Sequence, residues 1–484
     1  MNERAPRGIV IAALLTGASA GSLACAAVAS DAPRPAAAAV VRSQPAVEPA
    51  VEPAAPAGAA TLPRESADAA ALPRVILEDG DVPEGANGAP VERINPAFTN
   101  GLGRPALAGA LDRDGVEDFF IWYDGSILWL NSDHPEDGLD GAEGTLGVSD
   151  TAEFVYSPLV NGVDSLWSDQ GLVLGAGMAA PGFPEGSTVE SINRPTMTPA
   201  GRSFWVSEVR TPLREGMKRR ETVSQVLYTA ADAGSSEIEP VLQSGDEVDG
   251  AVIAFMNGLR LEYQASDDGE HVIQVANVVD PERGRAALPA VYVDGTLPMR
   301  RGDETANGTF HDFDLVAIND HGHYLASGET DADSSGDHFL AYDGEPVLWE
   351  SNETLDAVLL PQAVVEGISI DNRGRAVHAW STQGFGTEYL FFACDASRLA
   401  DSTTLLASGT KFDFDGDGVS DVLVLKFNGG NGPTLSLAEQ DEVYLEVELL
   451  YDDGTQVEAI LEIALPACPS DTVAPGPDVD AGAG

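Results

Sequence analysis

Positive charge is what this 484-residue chain has least of. Lysine occurs only at 218, 411 and 426, and all Lys and Arg together number 26 against 78 Asp and Glu. The resulting charge of −52 excludes nucleic acid as a partner, because a phosphate backbone is repelled. It equally excludes electrostatic docking on anionic lipid. Cysteine is scarce: Cys25, Cys394 and Cys468 cannot build a disulfide scaffold. The apolar run Ile9 to Leu15 is too short to span a bilayer. Catalytic signatures are missing as well. Between 74 and 466 there is no Gly-x-Ser-x-Gly elbow, no His-Glu-x-x-His and no phosphate-binding Gly-Lys-Ser/Thr loop. What the chain does have is a hydrophobic fraction of 43%, enough for a packed core.

The ends are biased in composition. Arg4 and Arg7 precede the Ile9–Leu15 run and small residues follow it, the order of an export signal over 1–29. Two cleavage readings compete. Ala27-Val28-Ala29 has the small-x-small form of an ordinary signal peptidase site. Ser22-Leu23-Ala24-Cys25 resembles a lipoprotein box, in which Cys25 becomes the acylated N-terminus. Residues 30–73 are rich in Ala and Pro, the composition of an extended linker, and 467–484 form an acidic tail of similar poverty.

Between 74 and 466 the chain repeats. A residue with a capping side chain, two variable residues and Gly lead into an apolar strand, as in Thr198-x-x-Gly201, Ser266-x-x-Gly269, Asn319-x-x-Gly322 and Asp371-x-x-Gly374. Asn100-x-x-Gly103 belongs to the series, and Ser149-x-x-Ala152 and Ala438-x-x-Asp441 are degenerate copies. The capping oxygen closes the turn and Gly supplies its positive φ. A second element, typified by Tyr123-Asp124-Gly125, Val293-Asp294-Gly295 and Tyr342-Asp343-Gly344, marks a hairpin between two apolar strands. A Gly-Asp step then follows at Asp79-Gly-Asp, Ser244-Gly-Asp and Arg301-Gly-Asp.

Seven turns spaced 49 to 68 residues apart leave room for about four strands each, the content of a propeller blade. The spacing predicts an all-β, seven-bladed β-propeller; stacked sheets or a solenoid are the alternative. Arg74-Val-Ile-Leu-Glu has the form of an outer strand with no unit before it, so it is expected to complete the last blade and close the ring.

The Asn319 and Asn100 segments, with Leu449 to Leu461, resemble a family of bacterial secreted and lipid-anchored proteins built from tandem NxxGxxxAF-type repeats. The resemblance implies a propeller-like surface protein, and it brings no catalytic residues.

Among single sites, Asp413-Phe-Asp415-Gly-Asp417-Gly-Val419-Ser-Asp421 places carboxylates at positions one, three, five and nine, with Gly at six and a backbone carbonyl at Val419. That order wraps oxygens around Ca²⁺. Val424 stands where an EF-hand has its bidentate Glu, so the expectation is a looped Ca²⁺ site without the EF-hand helices. His311, Asp314, Asp320, His321 and His323 form the richest histidine neighbourhood, but the turn at Asn319 accounts for them without a metal. Arg301-Gly-Asp303 matches an adhesion tripeptide, yet fills the recurring Gly-Asp step. Cys394 and Cys468 either pair after export or stay free.

These features describe an exported, monomeric, non-enzymatic binding or structural module. It is expected at the cell surface or as an outer-membrane lipoprotein, otherwise secreted, touching the membrane only through an N-terminal lipid. Its partner is a glycan, a matrix polymer or an envelope protein. The alternative is an extracellular hydrolase or lyase with its site at the propeller's central channel.

Overall fold

A computed structural model describes residues 73–468 apart from 97–103, 135–138, 141–145, 161, 214–220, 256, 333–335, 351–362, 383–386, 414–418, 428–434 and 439. The export segment, Cys25, the linker up to 72 and the tail from 469 lie outside the described residues. Seven antiparallel sheets succeed one another and form a seven-bladed β-propeller. Blade 1 holds Val91–Pro96, Ala106–Asp112, Glu117–Tyr123 and Ser126–Leu130. Blades 3, 5 and 6 have the same four-strand plan, with first strands Thr188–Met197, Phe310–Ile318 and Ala363–Ile370. In blades 2, 4 and 7 the first strand is interrupted: Leu139–Asp140 with Leu146–Val148, Ala251–Ile253 with Leu259–Ala265, and Val422–Phe427 with Leu435–Ala438.

The capped turns among the described residues join the first strand of a blade to its second, and the expected turn at Asn100–Gly103 lies outside them. Gly201, Gly269, Gly322 and Gly374 each donate their N–H to the carbonyl of the capping residue three positions back, at 2.9–3.0 Å. The capping side chain accepts from the N–H one residue after the glycine, as Thr198 does from Arg202 at 3.1 Å and Asn319 from His323 at 3.0 Å. The degenerate copies keep the conformation without glycine: Ala152 has φ +63° and Asp441 φ +67°. Neighbouring turns are sewn together. Asp268 N donates to Asp320 Oδ1 at 2.9 Å, Asp320 N to Asn372 Oδ1 at 2.8 Å, and Arg373 Nη1 to Asp441 Oδ1 at 2.8 Å. Arg375, buried beneath them, pairs with Asp371 at 2.6 Å and with Asp441.

Seven hydrophobic clusters hold the blades, and each draws on two consecutive blades. One of them joins the last blade to the first, combining Leu77, Tyr444 and Ile460 with Leu107, Phe120 and Trp122. Ring closure is therefore a matter of packing as well as pairing. The N-terminal strand Arg74–Glu78 runs antiparallel to Gln456–Ala464, with Arg74 opposite Glu462 and Glu78 opposite Ala459, as expected. Arg74 and Glu462 also form an ion pair at 2.6 Å. Cys394 and Cys468 form a disulfide with a Cα–Cα distance of 5.6 Å, which fastens the chain leaving blade 7 to blade 6. Among the described residues no helix is long and apolar enough to cross a membrane.

Candidate functional site

From blade 2 to blade 7 the first strands of consecutive blades touch one another, so they ring the axis and their free edges face the central channel. In blades 3 to 6 these strands share a defect. Pairing with the second strand slips between Asn193 and Thr196, between Leu259 and Tyr263, between Phe313 and Val316, and between Val365 and Gly367. Each slip lies about half a strand before the capped turn, and each is a β-bulge, which redirects the side chains inside it. The residues so placed are Arg194, Arg260 to Glu262, Asp314 and Glu366. Arg194 is itself held at φ +49°.

The two arginines are committed to their neighbours. Arg194 donates to Leu261 O in the next blade at 3.0 Å. Arg260 donates to Phe313 O at 2.9 Å and to Asp312 Oδ1 at 2.7 Å, again one blade on. Each guanidinium thus bolts one bulge to the following one. Leu261, whose carbonyl takes the Arg194 bond, is 38% exposed.

Asp314 is the group on this wall poised to titrate. It is open to water yet hemmed in by protein. Loss of solvation, with Asp312 and Glu329 adding like charge, pushes its carboxyl up to about 6, while His338 and Arg260 oppose the rise. His338 Nε2 lies 3.8 Å from Glu329 Oε1 on the adjoining strands. An Arg, a His and three carboxylates therefore converge at blades 4 and 5. The clue in the sequence was a charged residue breaking the apolar alternation four to six places before the turn. It marks a bulge only once strand pairing is known.

The residues singled out from sequence separate. Asp413 and Asp421 flank the loop between Lys411–Phe412 and Val422–Phe427; Asp421 N donates to Phe412 O at 3.0 Å, and its carbonyl accepts from Asp452 N at 3.1 Å. Asp421 Oδ1 is buried with no hydrogen-bond partner. Val419 is 56% exposed. Asp415 and Asp417 lie outside the described residues. Among the described residues no three His, Cys, Asp or Glu are grouped to hold a metal.

His323 Nδ1 instead contacts Asp343 Oδ2 at 2.7 Å, and Asp343 Oδ1 accepts from Tyr324 N at 3.0 Å. Blade 4 repeats the device: His271 pairs with Asp294 at 2.7 Å, and Asp294 accepts from Val272 N at 2.8 Å. These histidines staple the capped turn to the Asp-Gly hairpin. Asp303 of the Arg-Gly-Asp tripeptide accepts from Arg300 N at 2.9 Å and Arg283 Nη2 at 2.5 Å, so its carboxylate is spent on the blade 4–5 connection.

No family model matches the sequence, and no curated protein matches it. Among solved structures, a protein of unknown function from Dyadobacter fermentans is 12% identical with a TM-score of 0.36, covering 82% of this chain and 99% of that one. An α-L-arabinofuranosidase from Fusarium graminearum is 9% identical with a TM-score of 0.29, covering 80% and 98%. An ulvan lyase is 10% identical with a TM-score of 0.35, covering 79% and 97%. At these levels no residue role passes from them to this chain.

Proposed function

We propose that the protein is an exported surface module, akin to the NxxGxxxAF-type repeat proteins, that binds its partner on the channel wall formed by blades 3 to 5. The observation that carries this is the company kept by Leu261 and Asp314. Leu261 and Asp314 sit in the bulges of successive first strands, one apolar and the other an adjustable carboxylate, while the nearby arginines are tied to neighbouring bulges. Such a wall suits a neutral, hydroxyl-rich or amine-bearing chain, a glycan or an envelope protein segment, and repels a polyanion. A panel of neutral, amino and acidic polysaccharides tests it: the first two classes bind, and Leu261→Asp with Asp314→Ala weakens them at least tenfold. Selective binding of acidic polymers contradicts it.

A second reading has one observation behind it. Asp314, with its carboxyl near neutrality beside Glu329 and His338, is equipped to give a proton to a leaving oxygen, as a hydrolase or lyase requires. Turnover on the same panel, lost in Asp314→Asn while binding persists, selects that reading.

Two further parts of the proposal are tested separately. A Ca²⁺ ion held by Asp413, Asp415, Asp417, the Val419 carbonyl and Asp421 braces the entry to blade 7; the Asp415→Ala, Asp417→Ala double variant then loses the Ca²⁺-dependent rise in melting temperature, and equal melting in Ca²⁺ and chelator removes the site. Mass spectrometry of the mature N-terminus distinguishes acylated Cys25 from a free residue near Ser30.

A further inference from the structure

Outer strands of propeller blades are sheet edges, and edges recruit other strands unless something prevents it. Five of the seven blades carry a deterrent. In blade 3 the outer strand Ile238–Gln243 has Glu239 and Pro240; in blade 4 Thr296–Arg300 has Pro298 and Arg300; in blade 5 Glu345–Trp349 has Glu345 and Pro346. Blade 7 ends on Arg74–Glu78, charged at both ends; blade 6 ends on Thr403–Ala407, which lacks such a residue but exposes no large apolar side chain. Blade 1's outer strand is covered: Ile127 N donates to Glu84 O at 3.0 Å. Every outer strand also slips once against its inner neighbour, so that feature does not set one apart.

Blade 2 alone combines an unprotected edge with exposed apolar side chains. Its outer strand, Gly171–Gly175, reads Gly-Leu-Val-Leu-Gly, with no proline, charge or hydroxyl, and pairs on one side with Val163–Ser168. Leu172 is 51% exposed. Met178 is 43% exposed, and both side chains border the space beside Gly175. Val163, 43% exposed, continues this face of Val163–Ser168, whose Trp167 stands opposite Leu172. Nine large apolar side chains are exposed among the described residues, and three of them, Val163, Leu172 and Met178, lie here. The charge around them is one-sided: 15 Asp and Glu, and no Lys or Arg, separate Arg113 from Arg194.

We infer that the outer edge of blade 2 is a strand-addition site for a partner protein's extended apolar segment flanked by Lys or Arg. Backbone hydrogen bonds along Gly171–Gly175 align the segment, Leu172 and Met178 take its apolar side chains, and the acidic surroundings hold its basic flanks. A second copy of this chain would bring more negative charge to an already acidic face, so a basic partner fits better.

The test uses the full chain and three labelled peptides followed by fluorescence anisotropy: Lys-Lys-Leu-Val-Leu-Val-Leu-Lys-Lys, the same peptide with its middle residue replaced by proline, and a version with Glu flanks. The Lys-flanked peptide is expected to bind at least tenfold more tightly than either control. Leu172→Asp is expected to weaken it at least tenfold although the surface becomes more acidic; Met178→Asp serves the same purpose if Leu172→Asp alters the melting temperature. Equal binding of the proline peptide, or tighter binding by Leu172→Asp, reduces the effect to charge alone and overturns the inference, as does absence of binding. A dimer in sedimentation velocity that Leu172→Asp dissolves replaces the basic partner with a second copy.

Discussion

Asp79 sits where the closing strand leaves blade 7. Its Oδ2 accepts from Glu458 N at 3.2 Å, while its Oδ1 is buried with no hydrogen-bond partner. Burial pushes its carboxyl up to about 6. A raised carboxyl means that the folded state holds the proton more tightly than the unfolded chain does, so this group adds stability as pH falls from about 6 towards 4. Asp79→Asn is therefore expected to stabilise the protein by about 1 kcal/mol at pH 7, allowing for its partial contact with water, and to have no effect near pH 3.5. Urea unfolding at the two pH values measures both. Arg375 argues in the opposite direction. It is 3% exposed and answers the buried Asp371, so Arg375→Met strands a carboxylate and should cost about 3 kcal/mol in the same assay.

At the scale of the strand and turn, the capped turns make a paired prediction. Gly322 has φ +74°, and a Cβ there would meet His271 Cε1 at 3.3 Å, so Gly322→Ala should lose about 1–2 kcal/mol. Ala152 occupies the same left-handed conformation with a side chain, so Ala152→Gly should gain about 0.5–1 kcal/mol. Thermal melting of both variants checks the pair, and a loss from Ala152→Gly would show that the turns differ in conformation. The capped turns, the Asp-Gly hairpins and the isolated Arg74–Glu78 strand were legible because short-range chemistry produces them. A capping oxygen, a positive φ or an apolar alternation needs no knowledge of distant residues. The wall at Arg194, Arg260 and Asp314 was not legible in that way. A bulge exists only relative to a partner strand, and Arg260 finds Asp312 across 52 positions of chain. Pairing of Cys394 with Cys468, 74 positions apart, likewise depends on blades 6 and 7 lying side by side. The breaks in the first strands of blades 2, 4 and 7 interrupt the very period on which strand reading relies.

For the whole molecule, stability is divided among seven inter-blade cores of similar construction, and no central core dominates. A ring of that kind is only as sound as its seam, where Arg74–Glu78 and the cluster of Leu77, Tyr444 and Ile460 join the two ends. The disulfide fastens the same region from the other side, and Cys394→Ala with Cys468→Ala should lower stability by about 2–4 kcal/mol, read from denaturant midpoints under oxidising conditions. Heavy negative charge opposes closure by self-repulsion, so added salt should raise the melting temperature. The central claim is that seven blades form one ring closed by its N-terminal strand. Calorimetry of the intact chain beside a version lacking residues 74–81 tests it most directly. The intact protein should melt in a single transition, and the truncated one should release blade 7 in an earlier, separate transition. A truncated protein that melts at the same temperature and in the same single step would contradict the closed ring.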